Sequence, residues 1–206
     1  ILAYLVKGNS RIMGFFRTAF YMPVVMSAVV VGMIWTNLLD SAGLVNSVLK
    51  ALKIISKPIP FLTDRWGVLF SSMFVTIWLG LGYYMVIYLT ALANIDESLY
   101  EAASLDGAGP VRQFIYVTMP GVRSTMMLIM MLSTIAAFRV FNEIYVLTNG
   151  SAGPGGMDMT MSMLIKREGT GIQARTGYAS AISIVVLVIV GVMLIVQQIL
   201  QKRGED

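Results

Sequence analysis

Three stretches of this chain carry no charged residue: 18–39, 66–95 and 176–201, with 22, 30 and 26 positions. A helix rises about 1.5 Å per residue, so roughly 20 mostly apolar residues cross the ~30 Å of hydrocarbon in a bilayer. Each stretch is long enough to cross. A fourth apolar stretch runs from about Gly121 to Leu147 through MMLIMMLSTIAAF and carries Arg139 and Glu143 near its end. ILAYLV at residues 1–6 is apolar from the outset and reads as the closing part of a further membrane helix. No basic segment precedes it, so it does not read as a signal peptide. The expectation is an all-α, polytopic transmembrane helical bundle of about five spans, the first partial, in one domain over residues 1–206.

The composition agrees. Hydrophobic residues make up 57% of the 206 positions and charged ones 13%, against about 25% charged in soluble domains. Such a chain cannot cover a globule with polar surface. Cysteine and histidine are both absent, which removes disulfide chemistry, the commonest general base and the commonest metal ligand. The net charge of +4 comes from scattered residues, so nucleic-acid binding has no support. No metal or cofactor is implied.

The connections differ in character. Residues 7–17 are basic, with Lys7, Arg11 and Arg17. Residues 40–65 form a longer loop, with an amphipathic helix expected around Leu44–Ile55, where Leu44, Val48, Leu52 and Ile55 recur at helical spacing. Residues 148–176 are rich in Gly, Met and Thr and read mostly as loop. The tail KRGED is polar and is expected to fray. Lys and Arg in the connections divide seven to seven between the two sides of the membrane, so the positive-inside rule does not orient the chain.

The central stretch EAASLDGAGPVRQFIYVTMP, residues 101–120, is polar and turn-rich between two apolar runs. Ser98 to Val117 reads as two short helices joined by a bend. Ser98 with Glu101 fits a capping box, Gly107 supplies the positive φ of a turn, Pro110 suits the first turn of the second helix, and Pro120 leads into the next span. On pattern alone this is either a structured loop or a knob with a small-residue face that a partner can approach.

The stretch resembles the EAA loop of ATP-binding-cassette importer permeases: Glu-Ala-Ala, three residues, Gly, nine residues, then Ile-x-Leu-Pro. Glu101, Ala102, Ala103 and Gly107 match. Val117, Met119 and Pro120 fall on the Ile, Leu and Pro positions with the spacing kept. RTAFYMPVVMSAVVVGMIW, AGLVNSVL, FLTDRWG, FNEIYVLTNG and GYASAISIVV resemble the maltose-type carbohydrate subgroup, and FNEIYVLT its first permease. Asp96 departs from the proline found in many relatives. The resemblance implies a type I importer core in a bacterial or archaeal cell membrane, with residues 94–120 as a cytoplasmic coupling loop that seats on an ATPase subunit. The implied ATPase-coupling residues are Glu101, Ala102, Ala103, Gly107 and Pro120. The implied partners are a second permease subunit, an ATP-binding-cassette ATPase dimer, an extracytoplasmic substrate-binding protein and the lipid bilayer. The chain has no G-x-x-x-x-G-K-[ST] phosphate loop, so ATP hydrolysis is expected on the separate ATPase. The implied function is import of a sugar or sugar-like solute. The alternatives are another solute, such as glycerol phosphate or a polyamine, and a copper-handling protein.

Three further features read two ways. Arg139 lies 19 residues after Pro120, about 29 Å along a helix, near the outer end of its span. It either pairs with Glu143 at i,i+4 and snorkels to the interface, or joins Asn142 and Glu143 at the outer mouth of a pathway. Trp78, Tyr83, Tyr84 and Tyr88 are either packing and interfacial aromatics or, at Tyr83 and Tyr84, rings that stack on a sugar. Met157, Met159, Met161 and Met163 alternate in MDMTMSM, which suits either a methionine-rich composition or the soft ion Cu(I).

Overall fold

A computed structural model describes residues 1–8 and 10–203, and among these every regular element is helical. In chain order the helices are α1 (Leu2–Leu5), α2 (Arg11–Tyr21), α3 (Ala28–Leu39), α4 (Leu44–Ala51), α5 (Arg65–Ala93), α6 (Glu97–Leu105), α7 (Pro110–Gln113), α8 (Met119–Gly121), α9 (Arg123–Phe138), α10 (Asn142–Leu147), α11 (Met161–Gly169) and α12 (Thr176–Arg203). Four segments are long and apolar enough to cross a membrane: Ala28–Ala51, Arg65–Ala93, Arg123–Leu147 and Thr176–Lys202. The tail expected to fray falls partly at residues 204–206, outside the described residues.

Two expectations need correction. Residues 18–39 are not one helix. The basic segment continues as α2 through Tyr21, a tighter turn covers Met22–Val25, and α3 begins at Ala28. Pro23 lies in that turn, and its missing amide and fixed ring interrupt the α-helical ladder. The crossing segment is therefore displaced toward the C-terminus and is itself broken between α3 and α4. The amphipathic helix starts at Leu44 as expected but ends at Ala51, because Lys53 takes φ 55. Residues 148–176 are mostly loop and turn, as expected, but they also contain a helix. Thr160 accepts a hydrogen bond from the Met163 amide at 3.3 Å and opens the nine-residue α11. The methionine run is split by this cap: Met157 and Met161 are exposed and Met163 is buried.

The chain forms two compact units. The first comprises Ile1–Val25 and Leu79–Ser133. Its core is Ala3, Val6, Met85, Leu92 and Val122. The Arg17 guanidinium donates to the carbonyls of Val6, at 2.9 Å, and Gly8, so it satisfies two acceptors just past the end of α1. A Cβ on Gly82 of α5 would lie 2.3 Å from the Phe20 carbonyl oxygen. Only glycine lets these two backbones come that close.

The second unit comprises Met26–Trp78 and Thr134–Asp206. Here α3 packs on α10 at Gly32, where a Cβ would meet the Val146 side chain at 2.7 Å. Trp35 of α3 meets Phe74 and Trp78 of α5 edge-on at 5.1 and 5.5 Å. Gln197 of α12 donates to the Thr134 hydroxyl of α9 at 2.7 Å. Along α12, Ile184, Leu187, Val188, Val192 and Ile195 stay exposed, an apolar face suited to lipid or a second subunit.

The loop after α3 is held by Asn46, which is fully buried. Its side-chain amide donates to the carbonyls of Asp40 and Ile59, each at 3.1 Å, and its oxygen accepts from the Ile59 amide at 2.8 Å. Removing it strands buried backbone groups, which costs about 1–3 kcal/mol. Asn46→Ala therefore lowers the thermal midpoint of the detergent-solubilised protein by several degrees. An unchanged midpoint would show that the loop does not depend on this side chain.

Candidate functional site

The central stretch folds as the two short helices expected, with a different cap. Asp96, not Ser98, is the N-cap of α6: its Oδ1 accepts from the Ser98 amide at 3.0 Å. That bond holds the Asp96 carboxyl below its ordinary range. Both residue types cap well, and the extended backbone at Asp96 selects it. A carboxylate at a helix N-terminus also meets the positive end of the helix dipole.

At its other end α6 closes through a left-handed residue. Gly107 has φ 74. The Ala108 amide donates to the Ala103 carbonyl at 2.9 Å and the Gly107 amide to the Ser104 carbonyl at 3.0 Å. These are the two bonds of a Schellman motif. The chain then reverses into α7, with Pro110 at its first position. The Gln113 side chain crosses the bend and donates to Ser104 Oγ at 2.8 Å and to the Ala108 carbonyl at 3.0 Å. The Tyr100 hydroxyl shares a hydrogen bond of 2.9 Å with that of Thr118, which is buried. Lys7 lies over the Tyr100 ring at 4.6 Å. The bend is thus tied internally at three places and tied to the helical path that leads into α9.

Its outer surface is open. Glu101, Ala102, Gly107 and Pro120 are exposed and Ala103 is half-buried. Leu105 is 90% exposed and Val111 71%, apolar side chains with nothing of this chain above them. A Cβ on Gly107 meets no atom within 4 Å. Bulk at Gly107 therefore does not clash within this chain, and what requires glycine is the left-handed backbone.

The expected pathway residues are distributed. Tyr83 and Tyr84 lie in the first unit and touch each other edge-on at 5.3 Å, with Tyr83 exposed and Tyr84 half-buried. Arg139, Asn142 and Glu143 lie in the second, the first two exposed and the third half-buried. The i,i+4 pair between Arg139 and Glu143 does not form among the described residues. The helix is interrupted at 139–141, which destroys that spacing, and the ion pairs join Glu168 to Arg167 and Arg175 instead. The break lets Val140 and Phe141 pack beside Ile144, Ala152 and Met163. Sequence reasoning missed Tyr145, which lines two cavities of the second unit. Its only sequence signal was its place in FNEIYVLTNG.

A model of the family described as "Binding-protein-dependent transport system inner membrane component" matches residues 1–205. The lactose transport system permease protein LacF of Rhizobium radiobacter is 32% identical over 197 residues, covering 96% of this chain and 66% of LacF. The arabinooligosaccharides transport system permease protein AraP of Halalkalibacterium halodurans is 29% identical over 213 residues, covering 100% of this chain and 66% of AraP. The chain thus spans just under two thirds of the length of these curated relatives. A crystal structure of a bacterial alginate ABC transporter, in complex with a periplasmic protein bound to an alginate pentasaccharide, superimposes with a TM-score of 0.83 at 23% identity. It covers 98% of this chain and 70% of that one, and it shares the fold.

The cap sets a pH dependence. Asp96 has a lowered folded-state pKa, so its contribution is present above the ordinary aspartate range and is lost as pH falls through the lowered value. Asp96→Ala is expected to speed hydrogen exchange at the Ser98 amide at neutral pH relative to the native chain, with the difference gone once Asp96 is protonated. Equal exchange at neutral pH would remove the cap assignment.

Proposed function

Because the chain belongs to the family of binding-protein-dependent transport system inner membrane components, we propose that it is the transmembrane permease subunit of an ATP-driven importer, moving a sugar or sugar-like solute from a substrate-binding protein into the cytoplasm. Relatives named as permeases for lactose, arabinooligosaccharides and diacetylchitobiose support the solute class. The observation that carries the reading is the exposed, internally tied bend at Glu97–Gln113.

In this reading residues 94–120 are the coupling segment within one transmembrane domain. It faces the cytoplasm and seats on an ATPase dimer, with Ala102 and Ala103 offering a close approach and Glu101 a polar contact. Leu105 and Val111 are the apolar contacts. Gly107 shapes the bend, and Pro120 begins the return to the membrane. ATP hydrolysis belongs to that separate subunit. A short rigid element joined directly to spans transmits rigid-body motion, and the hydrogen bonds across the bend keep the two helices from flexing independently. A second permease completes the translocation path, to which Tyr83, Tyr84, Arg139, Asn142 and Glu143 contribute ring and polar contacts.

Gly107→Asp tests the coupling role. The left-handed backbone costs a non-glycine residue about 1–2 kcal/mol, and the carboxylate projects into the interface proposed for the ATPase. The expected outcome is a permease present at normal level whose complex loses most sugar uptake. Uptake equal to that of the native complex would contradict the assignment.

A further inference from the structure

Two cavities of the second unit share one aromatic side chain. The larger, about 480 Å³, lies along α3 and α10 and is lined by Met33, Thr36, Asn37, Tyr145 and Asn149, among others. The Asn37 amide group donates to the Met33 carbonyl and the Thr36 hydroxyl to the Gly32 carbonyl, both at 2.8 Å. Their oxygens retain acceptor capacity. Asn149, exposed at φ 48, makes no side-chain hydrogen bond among the described residues and offers both donors and an acceptor. An aromatic ring beside acceptors and an amide, with apolar Met33 and Val29 between, suits a polyhydroxylated ring with one apolar face. Ligand pockets commonly have such volumes, of about 300–1,000 Å³.

The second cavity, about 310 Å³, lies beyond Tyr145 and is lined by Gly150, Lys166, Arg167 and Thr170. Tyr145 stacks on Phe141 at 5.0 Å. The Lys166 ammonium sits 4.0 Å from the Tyr145 ring centre and 4.9 Å from that of Phe141. Arg167 is engaged by Glu168 at 3.1 Å, whereas Lys166 makes no ion pair among the described residues. The cation is therefore positioned by the rings with no carboxylate in salt-bridge range among the described residues, and it lines the smaller cavity on the other side of Tyr145 from the groove.

The geometry points to a saccharide-contact site centred on Tyr145, in which Asn37 and Asn149 read hydroxyls and Lys166 selects a sugar bearing a carboxylate. This rests on the reading of the chain as a sugar permease and adds to it a site and a charge class of substrate. The site is an open groove, and its amide and hydroxyl groups alongside a ring suit a polyhydroxylated ligand better than a single acidic side chain of a docked protein, which would use Lys166 alone.

The test is equilibrium binding of digalacturonate and of neutral galactobiose to the assembled permease–ATPase complex, with the full-length chain and without binding protein. Digalacturonate is expected to bind the native complex more tightly. Lys166→Met, which keeps an aliphatic stem over the two rings, should weaken digalacturonate by roughly fivefold, the scale of a partly exposed ion pair, and leave galactobiose unchanged. Lys166→Arg should restore the difference, and Tyr145→Ala should weaken both sugars. Equal weakening of both sugars by Lys166→Met, no effect of it, or no binding to the native complex overturns the site, and so does failure of both lysine variants to assemble, which would make Lys166 structural. If the same complex with its binding protein still imports sugar, the transport reading stands and only this site is lost. If it imports none, the transport reading fails as well.

Discussion

At Gly107 the backbone enters the left-handed region, and two amide-to-carbonyl bonds, from Ala108 to Ala103 and from Gly107 to Ser104, close α6 around it. A residue with a Cβ holds that conformation only with strain. Because α6 ends there and Pro110 starts α7 at once, the polar segment becomes a bend of fixed angle. A disordered loop in the same place would dissipate any motion imposed on it. A bend held at both ends transmits that motion.

The bend is useful because of what it is tied to. Thr118, buried and bonded to Tyr100, lies in a wide helical turn at Phe114–Thr118 between α7 and α8. From Pro110 to Phe138 the chain is helical almost without interruption, so in the proposed coupling role a push on α7 would reach α9. Glycine performs a second task inside the bundle. At Gly82 and Gly32 neighbouring segments approach more closely than a Cβ permits. Lipid supplies no hydrophobic drive between helices, so such close packing carries their association.

What was legible in the sequence was whatever rested on special backbone chemistry or on length. Gly107, Pro110 and the long apolar runs declare themselves without tertiary information. The cap of α6 did not, because Asp96 and Ser98 are both good capping residues and only the backbone at each separates them. The break after Tyr21 was hidden because an absence of charge says nothing of Pro23's effect on the ladder. Arg139 and Glu143 sat at helical spacing, but the helix is interrupted at 139–141, where Val140 and Phe141 pack beside residues distant in sequence. Asn46 and the Tyr145–Lys166 contact were invisible for the same reason: their partners are distant in sequence, and neither residue type announces its role. Polar residues brought together by folding are where a single sequence is least informative.

The central claim is that the bend faces the cytoplasm and is covered there by the ATPase. The chain contains no cysteine, so Ala102→Cys gives it a single thiol at the exposed face of α6. The decisive measurement is labelling of that thiol by a membrane-impermeant maleimide in right-side-out and inside-out vesicles, with and without the ATPase. The account predicts labelling only in inside-out vesicles and protection when the ATPase is bound. Labelling from the outer side, or labelling indifferent to the ATPase, would contradict it.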